Sequence, residues 1–431
     1  MGAKFESMGK PAGQDCVSGD KKRVARTLRF VLIALAASCA LAQAPTGEEV
    51  SLAPGLSYRH VKASTPAGEP WSIHVVSLER RHRELNLRAV AGHAAGGEMQ
   101  RELPSQMGAR GGALAVVNGD YDIAAPYLGI SDGLSVTSGL LWTTGRAEWP
   151  VMALMKSDEP GIGVPQVTLE LSAGAAKWQI AALNKPFGSV HGAGLRLYTR
   201  EFRPAIKSDA AFRAIVIANL SPRLPLRVDT NVRGRVVSVV EKTNELPIPR
   251  DGIVLAWRIP EKGAAHSTSS GQASSAPTLL DTLSQLRPRT KVKLRIRVEL
   301  DGKRSVREAI GGFPIIVREG RREIIGTPSD YLARRHPRTA VCYNREKIIF
   351  AVVDGRQPQL SVGMTLEELG DLMVSLGCTV AMNTDGGGSS VMAVSFPGAE
   401  GGVKPPLRIV NSPSDGQERG RGNAWVIVPK R

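Results

Sequence analysis

One stretch in the last quarter of the chain combines a carboxylate, three glycines and two hydroxyl groups. It begins with Asp385, ends with Ser389 and Ser390, and follows a short apolar run. An apolar run that stops at an acid and several glycines is typical of a strand that opens into a loop. Because glycines carry no side chain, a ligand can approach the backbone N–H groups of such a loop. The stretch could hold an anion or sugar hydroxyls beside an acid or base, and a plain glycine-rich hairpin turn is the alternative.

A second acid, Asp354, ends another apolar segment and is followed two residues later by Arg356. Between the two acids, Thr365 and Glu368 form a capping-box pattern that predicts a helix near 365–376. If the strands that precede the two acids are parallel neighbours, this helix is a right-handed crossover. Both acids then emerge at the same edge of the sheet, where ligand sites of such sheets collect. The sequence therefore predicts that two carboxylates and an arginine meet there.

Short apolar segments with alternating polar residues, separated by Pro and Gly, dominate the rest of the chain. This period-two alternation is typical of strands, and it occurs at 71–78 and 85–90, which we expect to open one antiparallel sheet. A buried strand at 113–117 ends at Asn118, whose side chain could point into a site or simply start an Asn-Gly turn. Only one further short helix is predicted, near 278–286. We therefore predict an α+β fold, built as a strand-rich mixed sheet with few helices.

The charge balance of the chain is strongly basic. The 431 residues carry a formal net charge of +16, and only 5% of them are aromatic, so stacking platforms for bases are few. The cations are scattered, and at 291–298 they alternate with apolar residues as on the wet face of a strand. The sequence contains no zinc finger, basic helix or basic patch with interleaved aromatics, so we expect no nucleic-acid partner. A basic surface attracts anionic polymers such as acidic polysaccharide or teichoic-type phosphodiesters.

The first 42 residues resemble an export signal. Basic residues at 21–29 precede a short apolar run at 30–42, whose end, Ala40-Leu41-Ala42, has the small-x-small pattern of a signal-peptidase site. The run is too short to span a bilayer comfortably, and we expect no transmembrane span once the signal is removed. A secreted or periplasmic protein is expected, and a lipid anchor at Cys39 is the weaker alternative.

Two cysteines, Cys342 and Cys378, lie outside this leader. An oxidising compartment permits a bridge between them, whereas two buried thiols are an equally good interpretation. The chain divides into a signal peptide with a long basic leader at 1–42, an N-terminal strand segment at 43–109 and a main domain at 110–429. A Ser- and Gly-rich stretch at 266–276 has the composition of a flexible insertion in that domain.

The ordered set of motifs in the main domain resembles the phosphodiester glycosidase family. The resemblance covers roughly 110–429 and is strongest from Ala309 onward; any one motif would be weak, but the ordered set is specific. The motifs are Val117-Asn118-Gly119, Gly311-Gly312, Pro337-Arg338-Thr339-Ala340, Val353-Asp354-Gly355-Arg356, the run from Gly363 to Leu369, the run from Asp385 to Ser390, and Asn411-x-Pro413.

This resemblance implies hydrolysis of a sugar-1-phosphodiester between the anomeric carbon and the phosphate oxygen, in envelope or exopolysaccharide glycans. A phosphodiester is already a good leaving group, so the site mainly has to stabilise an oxocarbenium-like sugar and hold an anion. Asp385 and Asp354 are the candidate catalytic residues, for stabilising that sugar and for activating water. The candidate substrate-binding residues are Asn118, Arg338, Arg356, Gly386, Gly387, Gly388, Ser389, Ser390 and Asn411.

Two other functions fit the same residues. No cofactor is expected, but a divalent cation held by the two aspartates would make a metal-assisted phosphodiesterase that cleaves the P–O bond. A non-catalytic glycan-binding module is the other alternative. The expected partner in every case is a sugar phosphodiester or an anionic glycan. Individual residues also have plain structural uses, since Arg356 could only pair with Asp354 and Asn411 could only start the turn at Pro413.

Overall fold

The computed structural model describes residues 47–188, 194–259, 279–303, 305–326, 328–398 and 405–430. The predicted signal peptide, Cys39 and the predicted insertion at 266–276 lie outside these residues. The described residues all belong to one compact unit that spans residues 42–431. Among them, no helix combines the length and the apolar character that a membrane span requires.

The fold is strand-rich with few helices, which confirms the predicted α+β class. The helices are α1 (Pro104–Gly111), α2 (Leu279–Ser284), α3 (Asp330–Ala333) and α4 (Leu366–Ser375). The strands are β1 (Glu49–Ala53), β2 (Leu56–Ser64), β3 (Pro70–Glu79), β4 (Leu85–Ala91), β5 (Ala115–Asn118), β6 (Ser135–Thr137), β7 (Leu140–Thr143), β8 (Val151–Met155), β9 (Pro160–Gly163), β10 (Gln166–Ala173), β11 (Ala176–Gln179), β12 (Ala182–Leu183), β13 (Arg196–Tyr198), β14 (Ala205–Ser221), β15 (Asn231–Pro247), β16 (Ile253–Arg258), β17 (Lys291–Glu299), β18 (Val306–Gly311), β19 (Ile315–Arg318), β20 (Arg321–Ile325), β21 (Arg338–Tyr343), β22 (Lys347–Val353), β23 (Val380–Asn383), β24 (Met392–Val394), β25 (Arg408–Ile409) and β26 (Asn423–Pro429).

These strands form two eight-stranded and two five-stranded sheets. The first large sheet has the order β1-β2-β3-β22-β21-β23-β19-β20, and the second has the order β11-β10-β17-β15-β14-β16-β13-β12. The small sheets have the orders β7-β6-β18-β8-β9 and β25-β24-β5-β26-β4. The first large sheet and the small sheet with β5 and β26 share one apolar core cluster, to which Phe350, Met382, Val117 and Trp425 belong.

The strands that precede the two candidate acids run in the same direction but are not neighbours. Strand β21 lies between β22 and β23 and is antiparallel to both. Its first residue, Arg338, is therefore opposite Val353 at the end of β22, while Asn383 at the end of β23 is opposite Ala340. Two strand ends and one strand start thus meet at a single sheet edge. The predicted convergence of both acid-bearing loops holds, with one more strand inserted than expected.

Helix α4 connects β22 to β23 and begins as predicted. The Thr365 side chain accepts a hydrogen bond from the Glu368 N–H, and the Glu368 carboxylate accepts one from the Thr365 N–H, which completes the capping box. The helix buries Leu366, Leu369 and Met373 against the first sheet, on the face opposite the shared core cluster. Leu376 follows the helix and is only half-buried. The two layers of apolar packing fix the positions of the strand ends that α4 connects.

The expectation that segments 71–78 and 85–90 open one sheet is wrong. Strand β3 pairs with β2 and β22, whereas β4 pairs with β26 in a different sheet. Leu78 of β3 and Leu87 of β4 nevertheless belong to the same apolar cluster. The alternation predicted both strands correctly, but the connection carries the chain across the core instead of back along the same sheet.

A disulfide joins Cys342 of β21 to Cys378, with their Cα atoms 5.8 Å apart. It ties β21 to the residue that follows the α4 turn, so it links two of the elements that converge on the sheet edge. The segment 43–109 contributes β3 to that same sheet, where β3 pairs directly with β22. The first segment thus packs as part of the sheet that carries the site. The division of the chain at residue 110 stays a prediction.

Candidate active site

A cleft of about 410 Å³ opens at the sheet edge where β22, β21 and β23 meet. Of the charged side chains that line it, two are aspartates and five are arginines. The lining residues are Arg101, Tyr121, Asp122, Leu332, His336, Arg338, Arg356, Asp385, Gly386, Gly387, Gly388, Ser389, Arg419 and Arg421. The excess of guanidinium groups gives the cleft a positive character, which suits a ligand with an anionic group.

Asp385 is the predicted acid that lines the cleft. It follows β23, its backbone N–H donates to the Gly119 carbonyl at 3.2 Å, and its side chain is largely buried. Its Oδ2 lies 2.5 Å from an Arg421 guanidinium nitrogen, and the Ser389 hydroxyl also donates to the carboxylate. Burial raises the pKa of Asp385 above its usual range, while Arg421 opposes that shift. The site therefore holds a partly desolvated carboxylate whose ionised form is stabilised by Arg421, with the Ser389 hydroxyl and the Gly386 N–H as further donors.

The glycine loop after Asp385 forms a tight 3₁₀ turn at Gly387–Ser389. The N–H groups of Gly387, Ser389 and Ser390 donate to carbonyl oxygens of the protein, at 2.8, 3.2 and 3.1 Å. The Gly386 N–H donates to the Asp385 carboxylate. Four of the five amides in the predicted phosphate cradle already donate to acceptors within the protein. A phosphate would have to compete with these acceptors, and the cradle remains a prediction.

Two of these glycines are required by close approach of arginine side chains. Gly387 has a φ of +62°, and a side chain there would meet the Arg356 guanidinium at 3.0 Å. A side chain at Gly388 would collide with the Asp415 carboxylate and the Arg419 guanidinium. The triple glycine thus lets two arginines lie directly against the loop.

Arg421, which the sequence reasoning missed, occupies the centre of the charge network. One of its guanidinium nitrogens lies 2.5 Å from Asp385 and 3.4 Å from the Asp122 carboxylate, and its side chain is only 3% exposed. Asp122 in turn pairs with Arg101 at 2.6 Å. The second carboxylate of the cleft is therefore Asp122, held between two arginines. The Arg-Gly-Arg-Gly run at 419–422 was the available signal, since arginines alternating with glycines just before a strand can line a site.

Asp354, the other predicted catalytic residue, lies behind the cleft and does not line it. Its side chain is 1% exposed, and His74 Nε2 lies 3.0 Å from its Oδ2. Its Oδ1 accepts hydrogen bonds from the Asn411 amide at 3.1 Å and from the Ser412 N–H at 2.8 Å. These three donors satisfy a buried carboxylate. Asp354 thus joins strands β3 and β22 to the loop that contains Asn411.

The hydrogen bonds of His74 extend this buried network into the first sheet. Its Nδ1 lies 2.8 Å from the Tyr58 hydroxyl, and its Nε2 is also 3.2 Å from the Ser72 hydroxyl. Nε2 is thus the ring nitrogen placed to donate to Asp354, and Nδ1 is the one that contacts the Tyr58 hydroxyl. Burial, followed by the Asp354 charge, raises the pKa of Tyr58 to about 12, so its hydroxyl stays protonated. The sequence showed no motif that would have linked His74 to Asp354, which is 280 residues away.

Asn118 and Asn411, both predicted to bind substrate, are buried and bonded to the backbone around Asp385. The Asn118 amide nitrogen donates to the Asp385 carbonyl at 2.8 Å, and its oxygen accepts from Thr339 and from the Val391 N–H. Asn411 donates to the Ser390 carbonyl and accepts from the Met392 N–H, at 3.1 and 2.9 Å. Neither residue lines the cleft. They hold the segment 385–392 from both sides.

The side chain of Ser390 is equally buried, and its hydroxyl lies 3.2 Å from that of Thr339. Ser389 is the serine of the pair that faces the cleft. The structure therefore separates two adjacent hydroxyls that the sequence treated alike.

The two predicted phosphate-binding arginines line the cleft in different ways. Arg338 is 2% exposed, and three of its N–H donors bind the carbonyls of Leu332, Arg334 and Met364 at 2.5–2.8 Å. Arg356 is exposed, has a φ of +60°, and lies 3.2 Å from His336 Nδ1. Arg338 therefore shapes the wall of the cleft, whereas Arg356 lies on its exposed side.

Tyr121 contributes the aromatic wall of the cleft. Its hydroxyl donates to the Phe313 carbonyl at 3.2 Å and accepts from the Asn383 amide at 3.0 Å. Burial and the nearby Asp385 charge raise the pKa of Tyr121 well above its usual range. An uncharged phenol beside Asp385 offers a ring edge against which a sugar can pack.

The described residues offer no group of three or more His, Cys, Asp or Glu side chains arranged to hold a metal ion. The second acid of the cleft, Asp122, is committed to two arginines instead. Among these residues, the hypothesis of a cation shared by Asp354 and Asp385 therefore lacks a donor cluster.

Comparison with known protein families gives a match over the C-terminal half of the chain. Residues 227–428 match the phosphodiester glycosidase family. This confirms the resemblance that the motifs predicted, and it supports a glycosidase that acts on phosphodiester bonds. The matched residues include Asp354, Asp385 and Arg421, whereas Asn118, Asp122 and the strands β1 to β14 lie before them. No curated protein sequence matches the chain.

Solved structures support the fold. A hypothetical protein from Synechocystis superposes with a TM-score of 0.68 at 16% identity; the match covers 90% of this chain, which spans 64% of the length of that protein. A "Putative exported protein" from Burkholderia pseudomallei gives 0.62 at 20% identity, covering 85% of this chain and 76% of that one. The zebrafish N-acetylglucosamine-1-phosphodiester alpha-N-acetylglucosaminidase catalytic domain gives 0.43 at 14% identity, covering 90% and 89%, which is too loose to support an argument.

Proposed function

We propose that the protein hydrolyses sugar-1-phosphodiesters in envelope or exopolysaccharide glycans, with the bond broken between the anomeric carbon and the phosphate oxygen. The observation that carries the proposal is the composition of the cleft: two largely buried carboxylates, Asp385 and Asp122, stand among five arginines, and Asp385 is the more exposed of the two. An anionic leaving group and a developing positive charge on the sugar are the two features of this reaction. The cleft offers groups of the opposite sign for both.

Asp385 is proposed to act in its ionised form on the sugar side of the bond. A phosphodiester leaves as a stable anion, so little protonation of the leaving oxygen is needed. A carboxylate in a poorly hydrated site stabilises an oxocarbenium-like carbon more strongly than one in water, because the local dielectric is low. Arg421 opposes the rise in the pKa of Asp385 that burial causes, and so favours the ionised carboxylate. Asp385 is therefore assigned both charge stabilisation and activation of the attacking water.

The arginines on the rim of the cleft are proposed to hold the phosphate. Arg101, Arg356 and Arg419 line the cleft and are at least partly exposed. Guanidinium groups bind phosphate oxygens through paired, charge-assisted hydrogen bonds. Arg338 is assigned a supporting role, since carbonyl oxygens hold much of its guanidinium.

Asp354 is proposed to be a positioning residue. It orients Asn411, which fixes the backbone on the far side of the Asp385 loop. This divides the work between the two acids, a question that the sequence left open: Asp385 contacts the substrate, and Asp354 holds the segment that carries it.

Hydrolysis of a small sugar-1-phosphodiester in ¹⁸O-labelled water tests the reaction. We expect the label in the released sugar, because the water attacks carbon. Label in the released phosphate would instead support the phosphodiesterase alternative, in which the P–O bond breaks. The Asp385→Asn variant serves as the control for contaminating activity. A glycan-binding module would show ligand binding in both proteins and turnover in neither.

Export is part of the same proposal. The basic and apolar pattern at 21–42 supports a cleaved signal and a secreted or periplasmic product. The mass of the N-terminal peptide of the protein secreted by an expressing cell tests this, with Gln43 as the expected first residue.

A further inference from the structure

A second concentration of positive charge lies on the second large sheet, which contributes no residue to the cleft. Strands β15 and β17 are neighbours there, and their outward side chains are cationic where the two strands pair. In the pairing register, Arg233 is opposite Lys293 and Arg235 is opposite Lys291. All four side chains are exposed, because the alternate residues of both strands face the apolar core. We call these four residues the basic quartet.

The quartet is an unfavourable arrangement for the fold itself. Side chains directly opposite each other on paired strands have Cβ atoms about 5 Å apart, and like charges in such pairs destabilise a sheet. Two cation–cation pairs stand side by side here. None of the four cations forms an ion pair with an acid of the described residues. An arrangement that costs stability and receives no internal compensation points to a partner that supplies the negative charge.

The shape of the surface agrees with that reading. A groove of about 520 Å³ runs over the quartet, from Ser172 and Gly174 at the end of β10 to Asn219 on β14. In the sheet order, β10, β17, β15 and β14 are consecutive, so the groove crosses four strands. None of the described residues that line it is acidic. A groove that crosses the strands and repeats its positive charges at intervals of about 5–7 Å fits a chain with regularly spaced anions.

The residues that line the groove also indicate which class of anionic polymer it would bind. The described residues that line the groove are serine, glycine, asparagine, valine, arginine and lysine, and none of them is aromatic. Single-stranded nucleic acids bind through bases stacked on aromatic rings, and duplexes are bound by elements that enter a groove of the duplex. A flat sheet surface with hydroxyl, amide and cationic groups instead suits a glycan backbone with negative charges.

We propose that the basic quartet binds a phosphodiester-linked glycan polymer, as an anchoring surface separate from the cleft. The choice of a phosphodiester polymer rests on the proposed function, while the presence of an anion-binding surface rests on the strand register alone. The surface would hold the polymer near the enzyme between successive cleavages. Binding of the polymer to the quartet and hydrolysis in the cleft can therefore be measured and changed independently.

The test measures binding of a purified poly(hexose-1-phosphate), in which sugars are joined by phosphodiesters, to the full chain with Asp385→Asn, so that no polymer is consumed. The first variant adds Arg233→Ser, Arg235→Ser, Lys291→Ser and Lys293→Ser. A matched control adds Arg81→Ser, Arg83→Ser, Arg318→Ser and Arg345→Ser, which removes four exposed cations at other places and gives the same net charge.

We expect the quartet variant to bind the polymer at least about tenfold more weakly at low salt, and the control to stay within about twofold. The slope of the logarithm of affinity against the logarithm of salt concentration should fall by roughly three, at about 0.7 per lost phosphate contact. Equal losses in the two variants would show an effect of net charge only and would overturn the proposal. Tighter binding of a DNA duplex than of the polymer at the same salt concentration would overturn the assigned partner.

Loss of folding cannot imitate this result. Removing two like-charge pairs should leave the melting temperature of the quartet variant equal to or above that of the parent. If it falls instead, the double variant Arg233→Gln, Lys293→Gln repeats the binding measurement with side chains of similar length. Failure of hydrolysis with small phosphodiesters would count against the proposed function, and loss of polymer binding by the control would count against the quartet.

Discussion

The two acids that follow β22 and β23 occupy equivalent places in the fold but different chemical surroundings. Asp354 and Asp385 both lie just beyond a buried strand end at the same sheet edge. Three donors surround Asp354, namely an imidazole, an amide and a backbone N–H. Asp385 instead faces a guanidinium and the cleft. Equivalent topology therefore does not give equivalent function, because the partners that decide the chemistry come from other parts of the chain.

The difference has a physical origin in where the surrounding segments cross the edge. The loop with Asn411 and Ser412 passes over Asp354 and covers it, so that this carboxylate bonds only to protein groups. The 419–421 segment passes beside Asp385 and leaves it at the wall of a cleft. A carboxylate that is saturated by donors and covered by protein stabilises structure, whereas one at the wall of a cleft has access to a ligand and can take part in chemistry.

The largest expected effect is the contrast between Asp385→Asn and Asp354→Asn. We expect the first to lower kcat for a sugar-1-phosphodiester by about 10³-fold or more, because the group assigned to charge stabilisation and water activation is lost. The second should change kcat by less than about tenfold in the folded fraction, because Asp354 acts through Asn411. Steady-state kinetics on samples matched for folded protein measures both. Equal losses of kcat would contradict the proposed division.

The same pair should differ in stability in the opposite sense. Asn at position 354 places an amide nitrogen among groups that donate, and a buried polar group without a partner costs about 1–3 kcal/mol. Asp385→Asn removes a buried charge while Arg421 keeps Asp122 as its anionic partner, so it should cost less. Urea unfolding of the two variants gives both values.

Removal of Arg421 tests what keeps Asp385 ionised. Burial raises the pKa of Asp385 and Arg421 lowers it, so Arg421→Gln should raise that pKa further. Because the ionised carboxylate is proposed to be active, the acidic limb of the profile of kcat/KM against pH should move to higher pH. The plateau should fall by about 10- to 100-fold, since two acids lose a shared partner.

Arg419→Gln is the matched control for Arg421. It removes the same charge from the same cleft, but Arg419 pairs with the more exposed Asp415. The acidic limb of the profile of kcat/KM against pH should move less in Arg419→Gln than in Arg421→Gln. Movement of the alkaline limb in Arg421→Gln would mean that Asp385 acts as a protonated acid instead.

A smaller effect on activity is expected at His74, which bonds to Asp354 and has no contact with Asp385 among its hydrogen bonds. His74→Phe leaves Asp354 Oδ2 and the Tyr58 hydroxyl without this partner, and we expect a loss of about 1–3 kcal/mol in the free energy of unfolding. His74→Gln keeps an amide donor and should recover part of it. The kcat of the folded fraction should stay within about tenfold of the parent. A larger fall in kcat with unchanged stability would place His74 in the catalytic machinery.

Local patterns predicted the elements better than their partners. The capping box at Thr365 and the strand ending at Asp354 were predicted closely, because each depends on residues near in sequence. The insertion of β21 between β22 and β23 and the separate sheets of β3 and β4 were not predicted. They depend on which apolar faces share a core, and strand alternation does not encode that choice. The position of Asp385 followed from its glycines, and the Arg-Gly-Arg-Gly run at 419–422 offered a signal for Arg421. Asp122 and His74 are distant in sequence from Asp385 and Asp354 and carry no spacing signal.

The smallest expected effect is at Arg356, which lies at the exposed rim of the cleft that contains Asp385. Its guanidinium lies over Gly387, next to His336, and can reach a phosphate in the cleft. An exposed charged contact contributes about 1 kcal/mol or less, so Arg356→Ala should raise KM by up to about fivefold and leave kcat unchanged. Arg356→Lys should recover part of the loss by restoring the charge without the paired donors. A fall in kcat at unchanged KM would mean that Arg356 contacts the transition state more strongly than the bound substrate, and would place it beside Asp385 in the chemical step.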